Sequence, residues 1–122
     1  VTVNVKSAKN LHQANLAAKA ICNSPLVKTA VYGNDANWGR IISAVGNSGI
    51  EFDPDKVSVK FGDMDILQPN YQSGFDEEEA KKKLDSKEVT ISVDLDYGEA
   101  DTTWWTCDFT EGYIKINASY RS

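Results

Sequence analysis

The stretch whose pattern decides the fold opens the chain: Val1-Thr2-Val3-Asn4-Val5-Lys6, followed from Ser7 onward by a different rhythm in which Leu11, Ala14, Ala18 and Ile21 recur. Valines at alternate positions with polar residues between them have the period of a half-buried strand. The second set falls at spacings of three and four, so it lines one face of a helix, and Ala17 and Cys22 widen the stripe. Asn10 with Gln13 has the form of a capping box, with Ser7 as a competing start. Pro25 reads as the stop, because the residue before a proline avoids the α region. A strand that runs into an amphipathic helix points to an α/β layer architecture.

Reading outward, the apolar run Leu26 to Tyr32 is expected to be a buried strand, and Gly33 to Asn37 a polar turn. Trp38, Ile41, Ile42 and Val45 then fall at helical spacing, with Gly46 and Gly49 as the exit. Val57, Val59 and Phe61 alternate as a strand, and Gly62 to Gly74 is expected to be mostly loop, with a short strand at Ile66 and Leu67. Asp76 to Leu84 reads as a charged helix with a capping box at Asp76 and Glu79, supported by glutamates placed four residues before lysines. Val89, Ile91, Val93, Leu95 and Tyr97 form the clearest strand, and Thr103 to Phe109 another, giving an antiparallel-looking pair near the end. Thr110 is placed to cap a last short helix. No repeat or linker divides the chain, so residues 1–122 are expected to form a single domain with a mixed sheet and helices.

Composition narrows the function. Thirteen basic against eighteen acidic residues leave a net charge of −5, which argues against a nucleic-acid binder. Apolar runs are too short to span a bilayer, so no membrane partner is expected. Cys22 and Cys107 lie in apolar-patterned segments without CxxC spacing, as buried reduced thiols do. His12, the lone histidine, sits at the exposed start of a helix, so Ser-His-Asp and Cys-His catalysis are not expected. No structural zinc site, GxGxxG or P-loop is present. Asp53/Asp55 and Asp63/Asp65 are paired carboxylates, but neither matches a calcium loop, and solvated loop aspartates are the ordinary reading. No metal and no bound cofactor is therefore expected. Threonine-type N-terminal nucleophiles need a free amine on the threonine itself; here Val1 precedes Thr2, so the chain holds no catalytic residue of that kind.

Two constellations remain. Gly33-Asn34-Asp35-Ala36-Asn37-Trp38-Gly39-Arg40 is a polar turn opening a helix. Free N–H groups there attract carboxylates, and Arg40 adds a bidentate anion binder. The ordinary alternative is that Asp35 or Asn37 only caps and Trp38 only packs. The tail, Lys115 to Ser122, has apolar anchors at Tyr113, Ile116 and Tyr120 that would dock it. Asn117 would then present a fixed amide able to read an amino-acid head group.

Together with Ser24-Pro25-Leu26-Val27-Lys28-Thr29-Ala30, Ile41 to Gly49, Cys107 to Thr110 and Tyr113 to Tyr120, these segments resemble the ornithine acetyltransferase family along the whole chain. Ala36 stands where the family has proline, Thr106 where it has glycine, and Glu111-Gly112 replaces a bulkier pair. The resemblance implies a layered α/β sandwich of N-terminal-nucleophile type. It also implies a precursor that cleaves itself into α and β chains and assembles as an α2β2 heterotetramer. The β-chain threonine would take acetyl from N-acetylornithine and pass it to glutamate, with acetyl-CoA as a possible further donor. Carried over by position, the family's substrate-binding asparagine and terminal residue fall on Asn117 and Ser122. The nucleophile, the oxyanion hole and a substrate-binding glutamate would precede Val1. Asp35, Asn37, Trp38 and Arg40 would shape the site. On this reading the chain is the C-terminal domain of the β chain and inactive alone, in the mitochondrial matrix if fungal (the preferred reading) and in the cytoplasm if bacterial. The rivals are a domain of a related self-processing aminopeptidase and a non-catalytic amino-acid-binding or oligomerisation module.

Overall fold

The opening alternation becomes strand β1 (Thr2–Ala8) in the computed structural model, which describes residues 1–106. Val3 and Val5 are buried and Lys6 is exposed. Helix α1 (Leu11–Asn23) follows, and Asn10 Oδ1 caps it by accepting the Gln13 N–H at 2.9 Å. The capping box is half made, because the Gln13 side chain accepts the Glu51 N–H at 2.9 Å instead of reaching back. Ala14, Ala17, Ala18, Ile21 and Cys22 form the buried face, while Leu11 in the first turn is exposed.

The run expected as a buried strand at Leu26 to Tyr32 is helix α2 (Pro25–Tyr32). Ser24 explains the difference by serving two helices. Its N–H donates to Ile21 C=O and closes α1, and its hydroxyl accepts the Val27 N–H at 3.2 Å and opens α2. Pro25 takes the first helical position, where no N–H is needed, so it starts one helix as it stops another. α2 ends with Asn34 in the left-handed region (φ 54), while Asn34 and Asp35 donate to Val31 and Ala30 C=O at 3.0 and 2.8 Å. This pair of bonds satisfies the last carbonyls of the helix. Helix α3 (Trp38–Gly46) then buries Ile41, Ala44 and Val45.

The remaining elements are β2 (Ser58–Phe61), β3 (Met64–Leu67), α4 (Glu77–Leu84), β4 (Thr90–Asp94) and β5 (Ala100–Trp105). The five strands lie in the order β3-β2-β4-β1-β5. β1 runs parallel to β4 and antiparallel to β5, and β2 is antiparallel to both β3 and β4. The antiparallel pair expected near the end does not form, since β1 lies between β4 and β5. The fold is mixed α/β with one mixed sheet, as the sequence predicts. β5 is the described part of the strand expected at Thr103 to Phe109; the helix expected from Thr110 lies outside the described residues.

Cross-strand rows align the core: Val3, Ile91 and Phe61 in one, Val5, Val93 and Val59 in the next. α1 packs on β1 and β5, with α2 and α3 against α1, and α4 sits by β2. The opposite face is polar. Thr103 Oγ1 donates to Asn4 Oδ1 at 2.8 Å, and Asn4 Nδ2 donates to Ser92 Oγ at 3.3 Å, a ladder crossing β5, β1 and β4. At the far end of β1 the register shifts between Val5 and Ala8, with Ser7 at φ 59. The Ser7 carbonyl accepts the N–H groups of Tyr97 and Gly98, at 3.0 and 2.8 Å.

Candidate functional site

The turn from Gly33 to Arg40 is built by two helix ends meeting. The close of α2 leaves Asp35 at the surface, and Ala36, half of a tight turn with Trp38 N–H on its carbonyl at 3.1 Å, is buried. Asn37 is the N-cap of α3: its Oδ1 accepts the Arg40 N–H at 3.2 Å, and its Nδ2 donates to Asp35 Oδ2 at 3.3 Å. Arg40 Nη1 donates to the Leu26 carbonyl at 3.0 Å, so the guanidinium ties α3 to the first turn of α2. Trp38 is half-buried against the core, its ring tilted 48° to Tyr71 at a centroid distance of 6.2 Å. The structure thus brings Asp35, Asn37, Trp38 and Arg40 into one turn in which capping and packing occupy Asn37 and Trp38. Asn117 and Ser122, and with them Cys107, lie outside the described residues.

A second feature lies at the other side of α2. A small crevice opens between the sheet and the helices where β1 begins and β5 ends, lined by Val1, Val3, Ile91, Val27, Val31 and Thr106. Lys28 also lines it. This is the one charged residue among the described residues that is buried, with 6% of its surface exposed. Its charge reaches the Cys22 thiol: burial pushes that thiol up to about 11, and the Lys28 ammonium partly opposes the rise. Sequence reasoning passed over Lys28. The available signal was a lone cation inside the apolar run Leu26 to Tyr32.

Three of the four paired carboxylates, Asp53, Asp63 and Asp65, meet local partners. Asp53 accepts the Asp55 N–H at 3.0 Å and caps the short turn Pro54–Lys56. Asp65 lies 3.6 Å from Lys60, and Asp63 lies 2.8 Å from Lys83, whose ammonium holds the Asp63 carboxyl below its usual range. Lys83 is raised by the same contact. Among the described residues no three His, Cys, Asp or Glu side chains gather as metal ligands do, and no helix is long and apolar enough to cross a membrane. His12 is exposed in the first turn of α1.

A model of the ArgJ family matches residues 1–122. The arginine biosynthesis bifunctional protein ArgJ of Chlorobaculum tepidum is 49% identical over 122 residues, covering all of this chain and 30% of that protein. Its counterpart in Symbiobacterium thermophilum is 47% identical over the same coverage. The crystal structure of the arginine biosynthesis bifunctional protein argJ of Bacillus halodurans superposes with a TM-score of 0.86 at 44% identity, covering 98% of this chain and 56% of that one. The chain thus spans about a third of the length of the curated relatives it matches.

Proposed function

The chain belongs to the ArgJ family, and from that premise we propose that it is the C-terminal domain of an acetyltransferase of arginine biosynthesis. In this reading residues 1–122 contribute substrate-binding groups to a site completed by segments outside this sequence. The complete enzyme moves acetyl from N-acetylornithine to glutamate. The observation that carries the proposal is the family match over the whole chain together with near-half identity to bifunctional ArgJ proteins.

Asn117 and Ser122 are the residues assigned to the substrate, on the positional resemblance described above. Asp35, Asn37, Trp38 and Arg40 shape the site from the α2–α3 corner. The interlocked caps and the Arg40–Leu26 bond give that corner a fixed form, suited to holding a neighbouring segment in place. The nucleophilic threonine, and the self-cleavage that frees it, are assigned to the complete protein on the same resemblance. A two-chain parent agrees with the two coverages, because the solved Bacillus halodurans chain is about half as long as the curated relatives. An α2β2 assembly is part of the same proposal, with glutamate and N-acetylornithine as small-molecule substrates and acetyl-CoA as a possible co-substrate. The relatives reported above are bacterial, which favours a cytoplasmic parent over the mitochondrial matrix.

The test is transfer of acetyl from N-acetylornithine to labelled glutamate by the complete protein and by residues 1–122 alone. Activity in the complete protein only is expected, with Asn117→Ala raising KM while leaving the melting temperature in place. Activity of residues 1–122 alone removes the assignment of the nucleophile to another segment, and silence in both removes the acetyl-transfer reading.

A further inference from the structure

We infer that the outer face of α2 is a docking surface for the part of the complete protein that precedes Val1. The inference rests on the reading of residues 1–122 as a C-terminal domain and adds to it the place where that domain is held.

A helix in the outer layer of a domain is expected to bury one face and turn polar residues outward. α2 does not. Val27, Ala30 and Val31 face the core, yet the opposite face carries Pro25, Leu26, Thr29 and Tyr32, all exposed, with Leu26 at 59% and Tyr32 at 66%. No charge lies on that face, because the only charged residue of the helix, Lys28, is on the buried side. The Thr29 hydroxyl is spent within the helix, where its Oγ1 donates to the Pro25 carbonyl at 2.8 Å. α4 shows the contrast, turning Glu77, Glu78, Glu79, Lys81 and Lys82 to solvent. Single exposed apolar residues are ordinary on a surface. An uncharged outer face on a helix already apolar inside is the pattern of a helix covered on both sides.

Location names the occupant. Val1 lines the same crevice as Val27 and Val31, so a segment that enters the sheet at Val1 arrives beside α2. This chain covers 30% of the Chlorobaculum tepidum protein, which leaves more than two thirds of such a polypeptide to pack against it. The stretch that covers Leu26 and Tyr32 has to be apolar and uncharged there, since a charge pressed against them would be buried without a partner.

The face also bears on the reaction. α2 ends at the turn that carries Asp35 to Arg40, and Arg40 Nη1 donates to the Leu26 carbonyl at 3.0 Å, which ties that corner to the first turn of the docking face. Docking α2 thus seats the residues assigned to shaping the site against the segment assigned the nucleophile.

The experiment uses the complete protein with the photo-crosslinking residue p-benzoylphenylalanine in place of Tyr32 and, separately, the Tyr32→Lys variant. Irradiation is expected to join position 32 to a peptide that precedes Val1. A link to a peptide within residues 1–122, whether from a second copy or from the chain's own end, overturns the proposal, and so does the absence of any link. If the crosslinker at position 32 prevents folding, Thr29 carries it instead, with the same outcomes. Tyr32 is the last residue of α2, where a lysine suits the helix dipole. On a free face Tyr32→Lys would leave the melting temperature unchanged or raise it, and that result overturns the proposal. Under a docked segment the variant buries an ammonium, and the melting temperature is expected to fall by about 2 °C or more. A complete protein that crosslinks as expected but transfers no acetyl removes the acetyl-transfer reading and leaves the docking surface standing. One that transfers acetyl without the crosslink removes the docking surface alone.

Discussion

The Asn15 carboxamide oxygen accepts the indole N–H of Trp104 across 3.0 Å, joining the middle of α1 to the edge strand β5. The same oxygen accepts the Thr102 hydroxyl at 2.6 Å. Both bonds use Asn15 as acceptor only. Asn15→Leu should therefore cost about 1–3 kcal/mol by stranding two donors, while Asn15→Asp keeps both bonds and costs less than half as much. Urea titration of the two variants checks this, and equal losses would show that the oxygen is not the group that matters.

Gly98 lies against the backbone where β1 turns into α1. A Cβ there would stand 2.8 Å from Lys9 Cα and closer still to the Ala8 carbonyl oxygen. Backbone cannot swing aside as a side chain tip can, so Gly98→Ala should lose about 1–3 kcal/mol. Gly74→Ala, where a Cβ meets nothing within 4 Å, is the control and should stay within about 0.5 kcal/mol of wild type. Thermal melts of the pair decide it.

Trp38→Ala is expected to destabilise by about 2–3 kcal/mol, below the range for a fully buried ring, because the indole is half-buried. The tilted contact with Tyr71 should appear as a coupling of about 0.5–1.5 kcal/mol in a double-mutant cycle with Tyr71→Ala. A coupling near zero would mean that the two rings are neighbours without mutual stabilisation.

Burial pushes the Cys22 thiol up to about 11. A thiol raised in the folded state stays protonated after the unfolded chain has begun to ionise, at about pH 8.5. Its contribution is thus whole below that pH and is lost as pH rises toward 11. Two results are expected: iodoacetamide leaves Cys22 unmodified in the native protein at pH 8, and Cys22→Ala flattens the fall in stability between about pH 9 and 11. Rapid native alkylation mapped to Cys22 would contradict the burial.

Periodicity reported the elements whose faces are unequal. β1 and β4 alternate because one face meets helices and the other does not, and α4 shows its cap at Asp76, whose Oδ1 accepts the Glu78 and Glu79 N–H groups at 2.9 and 3.2 Å. Leu26 to Tyr32 was illegible for the opposite reason. A short apolar run has no contrast between faces, and Ser24-Pro25 is both a stop and a start. Strand partners were equally hidden, since β4 carries nothing local to say that β1 will come between it and β5. At the candidate site, the sequence located the turn at Asp35 to Arg40 but not the Arg40–Leu26 bond, which depends on how α2 leans on α3. The burial of Lys28 was not legible, because burial is a property of the assembled layers.

The pairing of Lys83 bears on how the molecule opens. Glutamates four residues before lysines were expected to brace α4 along its own length; instead Glu78 and Glu79 meet Lys81 and Lys82 three residues on, at 3.7 and 3.4 Å, and Lys83 crosses to Asp63. The helix buries only Ala80 and Leu84. One exposed ion pair and two small apolar contacts make a weak hinge against the central strands, and the free energy of lifting α4 away falls far below that of global unfolding. Amide protons of α4 should thus exchange early while β1 and β4 remain protected, and trypsin should make its first cut within Lys81-Lys82-Lys83.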